Sequence, residues 1–277
     1  MVIFPNCKIN LGLNILNKRE DGFHDIETIF YPLPFCDALE IITNSEHTSN
    51  APVQFSATGL RIDGAIENNL CVKAYHLLKK DFPLLPAIQM HLHKVVPMGA
   101  GLGGGSADGA FTLLLLNKKY QLNLTTAQLG NYALQLGSDC PFFIINKPCF
   151  GRGRGEILEQ INLQLSAYKF VIVNPGIHIN TAWAFSQITP APRAQSVKEN
   201  ILRPVETWKN NLVNDFEKPV LKHYPQLQTI KDQLYNNGAV YAGMSGSGST
   251  FFGIFNKTQT VITHFPPEFY VKEIPAL

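Results

Sequence analysis

The stretch Pro97-Met98-Gly99-Ala100-Gly101-Leu102-Gly103-Gly104-Gly105-Ser106-Ala107-Asp108 decides how this chain reads. Five glycines fall within seven residues, after the alternating run Ile88-Gln89-Met90-His91-Leu92-His93 and before an apolar helical run from Ala110 to Leu116. Without Cβ atoms, consecutive backbone N–H groups can converge on one anion. The first turn of a helix adds unpaired N–H groups and the positive end of its dipole. The combination predicts a phosphate cradle, because a plain strand-to-helix turn needs far fewer glycines.

Two familiar cradles fit poorly. Gly99-Ala100-Gly101-Leu102-Gly103-Gly104 satisfies the dinucleotide pattern G-x-G-x-x-G, but that pattern needs an acidic residue about 20 positions on to hold a ribose hydroxyl. No Asp or Glu lies between Asp108 and Asp139. Gly99 and Gly104 are spaced as in a P-loop, yet Gly105 stands where the phosphate-binding Lys would be.

Working outward, the length of 277 residues exceeds a typical single core and predicts two domains. Apolar residues make up 45% and charged residues 16%, which fits a compact globular protein. The net charge of +2 gives no electrostatic case for a nucleic-acid or membrane partner. Cys7, Cys36, Cys71, Cys140 and Cys149 are scattered, as expected of reduced thiols in a cytoplasmic protein. His91 and His93 share one strand face, where a solvated surface is expected rather than zinc. Apolar Cys7, Ile9, Leu11, Leu13 and Ile15 alternate with polar or small residues from the start, leaving no room for a presequence, and no run of 18 apolar residues suggests a membrane span.

Asn68 or Asn69 is placed to cap a helix with the stripe Cys71, Ala74, Tyr75 and Leu78. Thr125 or Thr126 caps another, which Gly137 ends. Residues 169–173 read as a buried strand, Thr181 as the cap of a short helix carrying Trp183 and Phe185, and a longer helix is expected through Leu221 and Leu234 to Gly238. Apolar strands bracket a second small-residue loop, Gly243-Met244-Ser245-Gly246-Ser247-Gly248-Ser249, read as facing a ligand rather than as a linker. Strands and helices do not alternate strictly, which predicts α+β architecture. The turn-rich Gly151-Arg152-Gly153-Arg154-Gly155-Glu156 suggests domains at 1–155 and 156–277.

Lys8 and Asn10 fall on one side of the first strand, where periodicity alone favours an ordinary polar face. Asp139 follows a helix terminator and precedes Pro141. It suits an N-cap, a position compatible with a site. Phosphoryl transfer to an alcohol needs backbone donors for the nucleotide, a metal ion, a cation near the migrating group and an acceptor for the hydroxyl proton.

Pro5-Asn6-Cys7-Lys8-Ile9-Asn10-Leu11-Gly12-Leu13, the loop 97–107 and the loop 243–249 resemble, in order and spacing, the three motifs of the GHMP kinases (galactokinase, homoserine, mevalonate and phosphomevalonate kinases). Asp21-Gly22-Phe23-His24, Leu136-Gly137-Ser138-Asp139-Cys140-Pro141-Phe142-Phe143, residues 151–156 and Asn214-Asp215-Phe216-Glu217 narrow the resemblance. They are similar to the branch that phosphorylates the 2-hydroxyl of a cytidine-diphosphate-linked methylerythritol in the non-mevalonate isoprenoid pathway. The resemblance covers nearly the whole chain. It implies a kinase using ATP and Mg²⁺ on a small-molecule substrate, with catalytic Lys8 and Asp139, nucleotide contacts from Pro97 through Ala107, and substrate contacts at Asn10, Phe23, His24, Thr181 and Phe185. It also implies an N-terminal domain like ribosomal protein S5 domain 2 and a ferredoxin-like C-terminal domain. No metal ligand is assigned and no oligomeric state follows. Phe23 replaces a hydroxylated aromatic, and Ala107 replaces a frequent second Ser. Two other readings stay open: a homoserine- or mevalonate-type kinase, and a non-catalytic nucleotide-binding protein of the same fold, against which Lys8 and Asp139 together argue.

Overall fold

The computed structural model describes residues 1–44, 52–193, 195–262 and 264–275. The chain forms two compact units, one of Met1–Cys7, Phe35–Met98 and Gly103–Asn146, the other of Lys8–Pro34, Gly99–Leu102 and Lys147–Leu277. The glycine-rich stretch is therefore divided. Gly99–Leu102 belongs to the second unit, while Pro97, Met98 and Gly103 onward belong to the first.

In the first unit, strands β1 (Val2–Ile3), β4 (Ala38–Thr43), β6 (Ile88–Lys94) and β5 (Val53–Gly59) form a sheet in that order. β5 runs parallel to β6, and the other pairings are antiparallel. Helices α1 (Leu70–Asp81), α2 (Gly104–Lys119), α3 (Thr126–Leu136) and α4 (Cys140–Ile145) accompany it. α2 packs against α1, α3, α4 and strands β1 and β4. That explains its unbroken apolar run: Ala107, Ala110, Leu113, Leu115 and Leu116 are all buried. Each fully buried Leu contributes about 1.5–3 kcal/mol. Asn69 caps α1, its side chain accepting from the Cys71 N–H at 2.9 Å. Thr125 and Gln128 close a reciprocal capping box on α3.

The second unit holds two sheets. One orders β2 (Asn6–Lys18), β3 (His24–Cys36), β7 (Cys149–Arg152) and β8 (Ile157–Gln160); the terminal residues Asn6, Cys7, Phe35 and Cys36 of β2 and β3 belong to the first unit. The other orders β10 (Tyr241–Met244), β11 (Phe251–Asn256), β9 (Tyr168–Asn174) and β12 (Tyr270–Pro275), all antiparallel. Short helices α5 (Thr181–Ser186), α6 (Val197–Ile201), α7 (Trp208–Asn211), α8 (Glu217–His223) and α9 (Gln228–Asn236) complete it. Val173, Leu227, Ile230, Leu234, Phe251 and Phe255 anchor its core.

Three local expectations change. The polar side of β2 is not solvated: Lys8, Asn10 and Asn14 are 3%, 2% and 4% exposed. The helix expected through Leu221 and Leu234 is broken at Tyr224-Pro225, where proline lacks the N–H that would continue it. Asn180, rather than Thr181, caps α5, its side chain accepting from the Trp183 N–H at 2.9 Å. Among the described residues, no helix is long and apolar enough to cross a membrane. His91 and His93 hydrogen-bond the hydroxyls of Ser56 and Thr58 across β5 and β6.

Candidate active site

In the second unit the site starts from the buried Lys8 ammonium. It donates to Asn10 Oδ1 at 2.6 Å and to the Gly101 carbonyl at 3.2 Å, and lies 5.3 Å from the Phe30 ring centre. The Lys8 backbone N–H donates to the Leu102 carbonyl at 2.9 Å, so β2 holds the first half of the glycine-rich loop directly. Asn10 is fixed twice, its Nδ2 donating to Thr28 Oγ1 at 2.9 Å and its backbone N–H to Ser245 Oγ at 3.1 Å. Ser245 Oγ in turn donates to the Gly101 carbonyl at 2.8 Å. Lys8, Asn10, Gly101 and Ser245, distant in sequence, are thus one hydrogen-bonded cluster. Gly101 has φ +81°, and a Cβ there would lie 2.0 Å from the Ser245 carbonyl oxygen, so only glycine fits.

The second small-residue loop is clamped by Asn214-Asp215-Phe216-Glu217. Asn214 Nδ2 donates to the carbonyls of Met244 at 2.7 Å and Gly246 at 2.8 Å. Glu217 accepts the Met244 N–H at 2.8 Å and pairs with Lys231. Asp215 accepts the Ile15 N–H at 2.8 Å and pairs with Arg193. These anchors make the loop a fixed element rather than a linker. Released from capping α5, the Thr181 hydroxyl reaches Ser247 Oγ at 2.9 Å.

The expected substrate aromatics fall in the same unit. His24 stacks on Phe185 with ring centres 4.6 Å apart and planes within 13°, and Phe216 meets Phe185 edge-on at 4.8 Å. Burial, aided by Lys18, lowers the His24 pKa below the usual imidazole value. Phe23 is half exposed, with the Arg154 guanidinium 4.6 Å from its ring centre. It is therefore His24, not Phe23, that faces Phe185 here.

In the first unit Gly103, with φ +70°, turns the chain into α2. Ser106 lies in the first turn of α2 and hydrogen-bonds the buried Cys140 thiol, whose pKa burial pushes up to about 12 with a further push from Asp139. That places Ser106 beside the start of α4. Asp139 precedes α4 at the N-cap position, yet its side chain does not cap the helix. A cavity of about 480 Å³ opens beside this turn, lined by Gly105, Met98, Asp108, Ser56, Ile66 and Asn69 among others. A Cβ at Gly105 would meet nothing within 4 Å and would project into open space. The glycine-lined turn, the free helix start and a pocket of nucleotide size suit a phosphate-bearing ligand.

Sequence reading missed the support beneath this turn. Lys94, at the end of β6, bonds Asp37 and, at 2.7 Å, Asp108 Oδ2. Its only sequence signal was a lysine closing an apolar strand. The pocket wall from β5 to α1 and the role of Thr28 were also missed, and Ser245, although it lies in the second small-residue loop, was not singled out within it. Among the described residues, no three His, Cys, Asp or Glu side chains converge as metal ligands.

Comparison with known proteins shows the family. Residues 69–147 match the model of the GHMP kinases N terminal domain, and residues 197–265 match that of the GHMP kinases C terminal domain. The chain is 51% identical over 261 residues to the 4-diphosphocytidyl-2-C-methyl-D-erythritol kinase of Bacteroides fragilis, covering 94% of each chain. The corresponding kinase of Cytophaga hutchinsonii is 46% identical, covering 92% of this chain and 93% of its own. Among solved structures, a 4-(cytidine 5'-diphospho)-2C-methyl-D-erythritol kinase superposes with a TM-score of 0.78 at 29% identity, over 92% of this chain and 90% of that one. The Methanococcus jannaschii mevalonate kinase shares the fold alone, with a TM-score of 0.68 at 14% identity over 94% of this chain and 92% of that one.

Proposed function

This chain belongs to the GHMP kinase family, and on that premise we propose that it transfers the γ-phosphoryl group of ATP to the 2-hydroxyl of 4-diphosphocytidyl-2-C-methyl-D-erythritol. The observation that carries the reading is the buried Lys8 ammonium bonded to the Gly101 carbonyl, a cation built into the glycine-rich loop. The N–H groups of the loop and of the first turn of α2 hold the phosphates, and the cavity beside Gly105 takes the nucleoside. Lys8 supplies positive charge to the migrating phosphoryl group. The substrate hydroxyl oxygen bonds to phosphorus as the bond to the β-phosphate oxygen breaks, and ADP leaves. Asp139 accepts the hydroxyl proton; a loose transition state lets that proton leave late, so a carboxylate suffices.

Mg²⁺ would neutralise charge on the β- and γ-phosphates. Such an ion is commonly carried largely by the substrate phosphates with few protein ligands. Asn10 orients Lys8 and contacts the acceptor. The cytosine ring takes the face of Phe185 that His24 covers here, with His24 turning to the base edge and Phe23, under Arg154, closing the other side. Thr181 contributes at the mouth, beside Ser247.

The domain division at residue 155 is part of this proposal. The N-terminal family match lies before it and the C-terminal match after it, whereas the compact units assign most of the β2–β3 hairpin to the second. A cytoplasmic location fits the five scattered cysteines, four of them buried.

The test is ADP release with ATP, Mg²⁺ and a panel of acceptors: the cytidylated methylerythritol, the same alcohol without its cytidine diphosphate, homoserine and mevalonate. Turnover confined to the cytidylated acceptor is expected. Preference for homoserine or mevalonate would move the chain to another branch, and no turnover at all would leave only nucleotide binding.

A further inference from the structure

We propose that Asp108 is a positioning residue through which nucleotide binding at the glycine-rich loop takes up a proton. The inference rests on the kinase reading only for the presence of a nucleotide there. Asp108 lies in α2 just beyond the loop, is 3% exposed, and lines the same cavity as Gly105. Its Oδ2 accepts from Lys94 Nζ at 2.7 Å, while Oδ1 is buried without a hydrogen-bond partner among the described residues. Lys94 sits under the first turn of α2: a Cβ at Gly104 would lie 3.0 Å from its ammonium nitrogen.

The charges around this position are unbalanced. The groups facing Asp108 are Lys94 from β6, Asp37 from the β3–β4 connection and the Cys71 thiol from α1. Both oxygens of Asp37 are already engaged, Oδ1 by the N–H groups of Val95 at 2.6 Å and Val96 at 2.8 Å, Oδ2 by Lys94. With both carboxylates ionised, one ammonium leaves a net negative charge beneath the phosphate cradle. A bound polyphosphate adds like charge next to it, which favours the protonated acid. Oδ1 of Asp108 is the position open to that proton. Burial first of all, with Asp37 adding to it and Lys94 opposing, raises the Asp108 pKa to about 7, so the exchange falls near neutral pH. Burial alone would lower the Lys94 pKa, but Asp108 and Asp37 outweigh it and raise it, so the cation persists throughout.

The sign follows from linkage. A nucleotide that raises the Asp108 pKa binds more tightly where the acid is protonated, and its affinity falls as pH rises through about 7. The experiment is calorimetric titration of Mg²⁺–ADP into the full chain at pH 6.5, 7.3 and 8.0, each in two buffers of different ionisation enthalpy. Uptake of about a third of a proton at pH 7.3, beyond that of ADP itself, and an apparent Kd about threefold weaker at pH 8.0 than at 6.5 are expected. Asp108→Asn, which keeps the shape and removes the titration, should bind ADP with neither effect. Equal proton uptake in the two proteins would overturn the proposal, as would wild-type binding with no uptake beyond that of ADP, a result that needs no folded variant. Failure of wild type to bind ADP at all would overturn the nucleotide site itself, a distinguishable outcome.

Discussion

Lys8 and Lys94 are 3% and 1% exposed, and they tie together different parts of the molecule. Lys8 points at the Gly101 carbonyl and Asn10, groups that belong to the glycine-rich loop and its support. Lys94 ties β6 to α2 and to the β3–β4 connection through Asp108 and Asp37. Desolvating an ammonium is costly in either place. At Lys94 the compensation comes from carboxylates that themselves need the cation in order to stay buried. At Lys8 the ammonium is held by Asn10 and by the Gly101 carbonyl, in the loop proposed to bind phosphate. The first arrangement should show itself in stability and the second in turnover.

Lys94→Met sharpens the contrast most. It strands two buried carboxylates and should lower unfolding free energy by about 3–5 kcal/mol, read from denaturant midpoints. A loss below about 1 kcal/mol would mean the pair is not the keystone described here. Lys8→Met should reduce turnover by about 10³-fold while melting stays near wild type. If it unfolds instead, the two lysines are the same kind of group and the comparison breaks. Asp139→Asn should cost about 10²-fold in turnover with ATP affinity largely retained, since its side chain does not cap α4. Normal turnover in the folded variant would remove it from the chemistry. The smallest effect is expected at Phe185→Ala: an about tenfold rise in the constant for the cytidine substrate, with ATP affinity unmoved. Lost thermal stability with unchanged substrate affinity would make Phe185 a core residue only.

The loop at 97–108 was legible because its chemistry is local: strand, glycines and helix start are adjacent in sequence. The caps Asn69 and Thr125 were legible for the same reason. Burial of the polar side of β2 was not, because alternation fixes which residues share a face but not what covers that face. Lys94 pairs with Asp37 across 57 residues and with Asp108 across 14, separations that no short pattern records. At Thr181 a neighbouring Asn took the cap and freed the hydroxyl, a competition between two good capping residues that spacing alone leaves open. The Tyr224-Pro225 break could have been read from the proline itself. The site residues on β2, the loop and α5 were named largely through family resemblance, and the hydrogen bonds among Lys8, Asn10, Gly101 and Ser245 supply the physical link that periodicity lacked.

The proposed activity is defined by where the phosphoryl group goes. Phosphorus NMR of a reaction containing ATP, Mg²⁺ and 4-diphosphocytidyl-2-C-methyl-D-erythritol reads that directly. A new phosphomonoester resonance growing in step with ADP, with the cytidine diphosphate signals intact, is the predicted result. Free phosphate appearing in place of the phosphomonoester, or an unchanged spectrum, would contradict it.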